Sequence, residues 1–157
     1  MAGTAASAAS LLLAGALLQA APALAAEGPS EVAIVGDAIP RSLTGNSGDA
    51  ERGREIAFDR ARGNCPICHV MPAPDEILHG DVGPSLKGVA GRLSEGQMRL
   101  RLVDGRRVNP ASVMPSYYRL GGLRRVAAAH AGHTVLSAQE IEDLLAFLMI
   151  LRTERDR

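Results

Sequence analysis

The sequence predicts a small all-α domain with long loops. Three observations carry this. Apolar residues recur at helical spacing in three segments, each opened by a residue suited to capping. No run of alternating apolar and polar residues is long enough to suggest a sheet. The stretches between the helical segments are rich in Pro and Gly and too long for ordinary helix connections.

Taken in order, residues 1–25 hold Ala, Leu, Gly and Ser with no charged side chain. The run "LLLAGALL" is too short to span a bilayer. "ALA" at Ala23–Ala25 has the small-x-small pattern of a leader cleavage site, so we expect a signal peptide over 1–25, cut near Ala25–Ala26. No Lys or Arg precedes the apolar run, and a retained apolar anchor is the alternative. Residues 26–48 mix Gly, Pro and Ser with one short β-like run, Val32–Val35, and predict an extended N-terminal arm packed on the domain. The domain itself is expected over 49–157. Asp49 is a fair N-cap for "DAERGREIAFDRAR", predicted helical to about Arg62. Ser94 opens a short helix ending near Gly105. "GGLRRVAAAHAGHTV" fits either a helical turn or a surface loop. Ser137, with Glu140 three residues on, forms a capping box before the stripe Ile141, Leu144, Leu145, Leu148 and Leu151.

Composition narrows the function. The chain has no Trp, 2 Phe and 2 Tyr, few aromatics to fill a small domain, so something else should occupy its centre. Formal net charge is zero, which gives no support to nucleic-acid binding. Charge is nevertheless uneven. From Arg92 to Arg125 the arginines at 92, 99, 101, 106, 107, 119, 124 and 125 face only Glu95 and Asp104. Such a stretch suits docking to an acidic partner, or is simply a solvated face.

Both cysteines lie in "NCPICH", as Cys65 and Cys68, with His69 directly behind. A dithiol redox pair prefers a preceding strand, and none is predicted. Zinc needs four ligands, and His79, His130 and His133 do not fall at close paired spacing after the cysteines. Covalent haem fits without strain: two thiols add to the two vinyl groups, and His69 lies under the iron as proximal ligand. The long loops then have a prosthetic group to wrap. Zinc and dithiol chemistry remain the alternatives.

For the other face of the iron, Met71 is too near His69, and Met98 and Met149 fall in predicted helices as core filler. Met114 sits in the Pro-bounded loop "NPASVMPSYY" and is the expected distal ligand, with His130 or His133 as alternatives. In "GDVGPSLKG" a Gly-Pro turn could present the Pro84 carbonyl to the second ring nitrogen of His69, with Leu86 packed on the haem face. The alternative is an ordinary turn. His79 is expected to be exposed.

From Asp49 to Leu151 the order of helix, CxxCH, GPxL loop, methionine loop and capped last helix resembles a class I cytochrome c. That resemblance implies an all-α fold wrapped round one covalent haem c, with first and last helices crossing through Gly53 and Ala57 against Phe147, Phe58 nearby. "GNCPICHVMP", "DVGPSLKGVAGR", "NPASVMPSYYR" and "LRRVAAAHAGHTVLSAQEIEDLLAFLMIL" are similar to one branch, the SoxX subunits of sulfur-oxidation cytochrome complexes. The branch implies a periplasmic heterodimer with a SoxA-type haem subunit. That pair joins thiosulfate to a cysteine of the SoxYZ carrier, an L-cysteine S-thiosulfotransferase reaction whose reactive cysteine belongs to SoxA. This chain would contribute no catalytic residue: it would accept electrons and pass them to a mobile cytochrome. The alternatives are a free-standing electron carrier and, more remotely, a haem sensor. Tyr117, Tyr118 and Arg119 are the expected interface anchor near the haem edge, unless the tyrosines pack inside.

Overall fold

The computed structural model describes residues 32–73 and 77–153. The expected leader and the start of the arm lie outside the described residues. Within them there are three α-helices, joined by single 3-10 turns and irregular chain: α1 (Ala50–Phe58), α2 (Glu95–Asp104) and α3 (Ala138–Ile150). The only β pairing among them is one isolated bridge, Val35 with Ala38.

The caps explain where the helices start. The Asp49 side chain accepts from the N–H groups of Glu51 and Arg52. Ser94 with Gln97 and Ser137 with Glu140 form full capping boxes, each satisfying two otherwise orphaned donors. The sequence expectation for α1 runs too far: the helix ends at Phe58, not near Arg62. Asp59 leaves the helix in an extended conformation, and its carboxylate accepts from the Ala61 N–H at 2.8 Å and from Arg62 Nε at 2.6 Å. A short acidic side chain offers the backbone a local turn in place of another helical residue. The Gly63 N–H then bonds back to the Ile56 carbonyl at 3.1 Å.

Helix α1 crosses α3 at close range. Gly53 makes this possible: a Cβ there would collide with the Asp143 carbonyl and stand 2.9 Å from Phe147 Cβ. Phe58 meets Phe147 with ring centroids 6.5 Å apart at 60°, a tilted pair. Asp143 fastens the crossing. It is buried and accepts from Arg52 Nε at 2.9 Å, Arg52 Nη2 at 3.0 Å and the Asp49 N–H at 2.9 Å. Burial alone would raise its pKa, but the bonds from Arg52, Gln139 and the Asp49 N–H outweigh this and hold it below the usual carboxylate range. Its contribution to stability is therefore present above the ordinary carboxylate pKa and is lost as pH falls through the lowered one. The close crossing also fixes what a larger side chain would do. Gly53→Val is expected to lower the unfolding free energy by about 3 kcal/mol, because the obstructing atom is backbone and cannot turn aside. Urea unfolding followed by circular dichroism measures it. A change within about 0.5 kcal/mol, the range of ordinary surface substitutions, would mean the helices can slide apart.

Helix α3 is buried on nearly every side, since Glu142 and Asp143 are buried along with Ile141, Leu144, Leu145 and Leu148. The arm packs on the domain. Ile39 is buried and its N–H bonds to the Gly96 carbonyl at 2.9 Å. Arg99 of α2, 1% exposed, holds arm and helices together. It donates to both Glu142 carboxylate oxygens at 2.9 Å and to the Ile39 carbonyl at 2.9 Å, and reaches Glu95 at 2.5 Å. Glu142 also accepts from the Leu43 N–H at 2.8 Å. This corrects the reading of Arg99 as part of a surface charge patch: it is an internal tie.

Candidate haem site

Asn64 leads into the site in the left-handed region, φ 46°, a conformation Asn tolerates better than most residues. It swings the chain from α1 into a 3-10 turn at Cys65–Ile67, with Pro66 fitting the first turn. The N–H groups of Cys68 and His69 both bond to the Cys65 carbonyl, at 3.2 and 3.0 Å, so the two cysteines and the histidine are held on one tight turn. Cys65 is buried and Cys68 half-buried, and neither is in a disulfide. Burial pushes the Cys65 thiol up to about 12.

The segment after the turn runs back beside it. Gly80, Gly83 and Leu86 donate their N–H groups to the carbonyls of Pro66, Cys68 and Val70 at 2.8, 2.8 and 2.7 Å. This brings the Pro84 carbonyl to 2.7 Å from His69 Nδ1. A carbonyl can only accept, so Nδ1 is the donor in this contact, and in the neutral ring Nε2 is then the nitrogen with the free lone pair. Gly83 lies flat against the ring: a Cβ there would collide with His69 Cε1 and stand 2.6 Å from Nδ1. Leu86 is partly buried against the core. His79 is not the exposed residue expected from the sequence. It is half-buried, with Nδ1 3.3 Å from the His69 carbonyl, because the returning segment is pinned to the turn directly after it, at Gly80.

Met114 is partly buried against the core, in a loop fastened to the end of α2. Asp104 accepts from Ser116 Oγ at 2.8 Å and from Arg119 Nη1 at 2.9 Å. The N–H groups of Tyr117 and Tyr118 bond to the carbonyls of Leu102 and Val103, at 3.1 and 3.4 Å. The Tyr117 hydroxyl donates to the Gly63 carbonyl at 2.6 Å. Burial, reinforced by Cys65 and Cys68, drives its pKa far above the ordinary phenol value.

Both tyrosines are buried, at 6% and 7% exposure, and Arg119 is engaged by Asp104. The expected anchor at Tyr117, Tyr118 and Arg119 is therefore overturned. With no Trp and 2 Phe, the interior takes these rings itself. His130 ends a 3-10 turn, Ala128–His130, and His133 is exposed. Met71 and Met98 are buried in the core, and Met149 is partly buried against it.

The donors suit a covalently held haem: two thiols on one turn, an imidazole whose tautomer leaves Nε2 free, and a thioether in an anchored loop. Among the described residues no three His, Cys, Asp or Glu side chains gather as a metal cluster, so the zinc alternative finds no further ligands. Nor is any described helix long and apolar enough to cross a membrane.

No protein-family model matches the sequence, and no curated protein matches it. Among solved structures, a chain of SoxXA from P. pantotrophus matches with 33% identity over 80% of this chain and 98% of that chain, at a TM-score of 0.72. Ferric cytochrome c-550 from Paracoccus versutus matches at 19% identity over 65% of this chain and 96% of that one; its TM-score of 0.37 is too low to carry an argument. Three helices with crossing ends, a CxxCH turn backed by a Gly-Pro carbonyl and a likeness covering almost all of a SoxXA chain lead to one placement: the chain belongs to the SoxX family of class I c-type cytochromes.

Proposed function

We propose that this chain is the electron-accepting monohaem subunit of a SoxAX complex. Cys65 and Cys68 would hold one haem c, His69 and Met114 would ligate its iron, and Pro84 and Leu86 would shape its pocket. The observation that carries the reading is the His69–Pro84 contact of 2.7 Å. It orients an imidazole directly behind two thiols with Nε2 turned away from the carbonyl, an arrangement that neither a dithiol enzyme nor a closed zinc site needs.

Haem bound here supplies one-electron storage. The chain's part is to hold it and present it. His69 is held in one tautomer by Pro84, and the loop of Met114 is held by Asp104. With His69 and Met114 both holding the iron, no position would be left for substrate at the metal, so the role would be electron transfer and the sulfur chemistry would belong to a partner. The partner is a SoxA-type cytochrome carrying the reactive cysteine, with SoxYZ as transient carrier and a mobile cytochrome as acceptor, in the periplasm after removal of a signal peptide. The SoxXA match supports the pairing. A free-standing carrier remains the second reading, with the same haem site.

Burial of the tyrosines moves the expected docking face. Ile67, Leu78 and Val82 are 64%, 92% and 69% exposed on the turn and on the segment pinned beside it, and Val113, next to Met114, is 76% exposed. Large apolar side chains exposed on the turn, on the segment beside it and on the methionine loop suit a partner interface better than solvent. Leu78→Asp with Val82→Asp is therefore expected to weaken binding to SoxA at least tenfold, by analytical ultracentrifugation of the co-expressed proteins, and to leave the visible spectrum unchanged. Wild-type chain that remains monomeric beside SoxA, and whose haem is not reduced by thiosulfate and SoxYZ, would leave the free carrier as the better account.

A further inference from the structure

The Tyr117 hydroxyl joins two parts of the chain that the haem reading assigns to opposite sides of the iron. Gly63, which accepts its bond, lies two residues before Cys65 on the proximal turn. Tyr117 lies three residues after Met114 on the distal loop. Little slack exists at either end. Gly63 is buried and its N–H is tied to Ile56. Between Met114 and Tyr117 stand only Pro115, with its fixed φ, and Ser116, whose hydroxyl is tied to Asp104. The Tyr117 backbone is held on both sides, its N–H by the Leu102 carbonyl and its carbonyl by the Leu136 N–H at 3.0 Å. Aromatic packing would have been served by phenylalanine. The hydroxyl adds a bond to a buried backbone carbonyl.

We propose that Tyr117 is a positioning residue for the distal ligand: its bond to Gly63 fixes the methionine loop relative to the cysteine turn, and so resists displacement of the Met114 sulfur. This rests on the reading of Met114 as iron ligand. Removing the hydroxyl leaves a buried carbonyl unpaired and frees the loop by one tie. The cost falls on the closed, methionine-ligated form, because an opened loop exposes Gly63 to water.

The test uses the holoprotein and imidazole as competing ligand. In Tyr117→Phe, imidazole is expected to bind ferric haem about tenfold more tightly than in wild type, the size of one buried bond lost from the closed state only. The methionine-to-iron charge-transfer band should persist in the variant but vanish at correspondingly lower imidazole. In a Met114→Ala background there is no methionine to hold, so Tyr117→Phe should leave imidazole affinity unchanged. Equal affinities for wild type and Tyr117→Phe, or the same tenfold gain in both backgrounds, would overturn the proposal while leaving Met114 as ligand. A wild type without the charge-transfer band, or one whose band survives Met114→Ala, would overturn the ligand assignment and the proposal with it.

Discussion

Replacing both Cys65 and Cys68 with serine is expected to release all haem from the chain. In the wild type, two thioethers would keep the haem with the polypeptide through denaturation and acidic acetone. With one cysteine left, a single thioether still retains it. With neither, only the iron ligands remain, and acid protonates His69 and removes it as a ligand. The outcome is all or none in the extract, and the intact mass of the wild type reads it independently. Wild-type protein from an exporting, haem-attaching host with the mass of the bare polypeptide would sink the site assignment at its root. The structure gives the loss a second effect. Residues 105–137 hold only two 3-10 turns, and the described core contains few aromatic rings. Without a bound group to wrap, the methionine loop and the returning segment beside His69 should lose protection from proteolysis before the α1–α3 crossing does.

The next largest effect is expected at Arg99. The side chains of Arg99 and Glu142 are 2% and 4% exposed. Burial works against the Arg99 charge, but its bonds and attraction to Glu142 and Glu95 outweigh that and raise its pKa. Arg99→Met leaves the Glu142 carboxylate buried without its cation and should cost about 3–5 kcal/mol. Adding Glu142→Leu should restore part of this, since a buried ion pair can often be exchanged for apolar residues. Recovery should stop short of complete here, because the Leu43 N–H and the Ile39 carbonyl both bond to the pair and would be left unmatched. Urea unfolding of the three proteins measures both steps. Arg99→Met within 1 kcal/mol of wild type, on the scale of an exposed pair, would mean that water reaches the pair.

Legibility in the sequence followed the range of the interactions. The starts of α2 and α3 could be read because Ser94, Gln97, Ser137 and Glu140 act within one helical turn. The grouping of Cys65, Cys68 and His69 on one turn could be read because they fall within five positions of one another. The end of α1 could not: helical spacing continues through Ala61, and the side-chain bonds of Asp59 decide against it. Arg99 looked like its arginine neighbours, since its burial depends on Glu142, 43 residues away. A hint was present in Glu142 and Asp143, two acids inside an otherwise apolar final helix, where each requires a buried partner. Tyr117 and Tyr118 were expected at an interface because two tyrosines beside an arginine in a loop suit a binding hot spot. The shortage of other aromatics was the signal that they would be drawn in.

The crossing of α1 and α3 also bears on how fast the chain can find its fold. The bond from the Asp49 N–H to Asp143 spans 94 positions. Closing a loop of that length costs about 4 kcal/mol of chain entropy before the Gly53 contact returns anything. Helical proteins usually fold quickly because their contacts are local. Here the first and last helices must meet across most of the polypeptide, so the folding barrier should resemble that of a mixed α/β domain. Nearly all of the descent then comes late, once both ends are in hand.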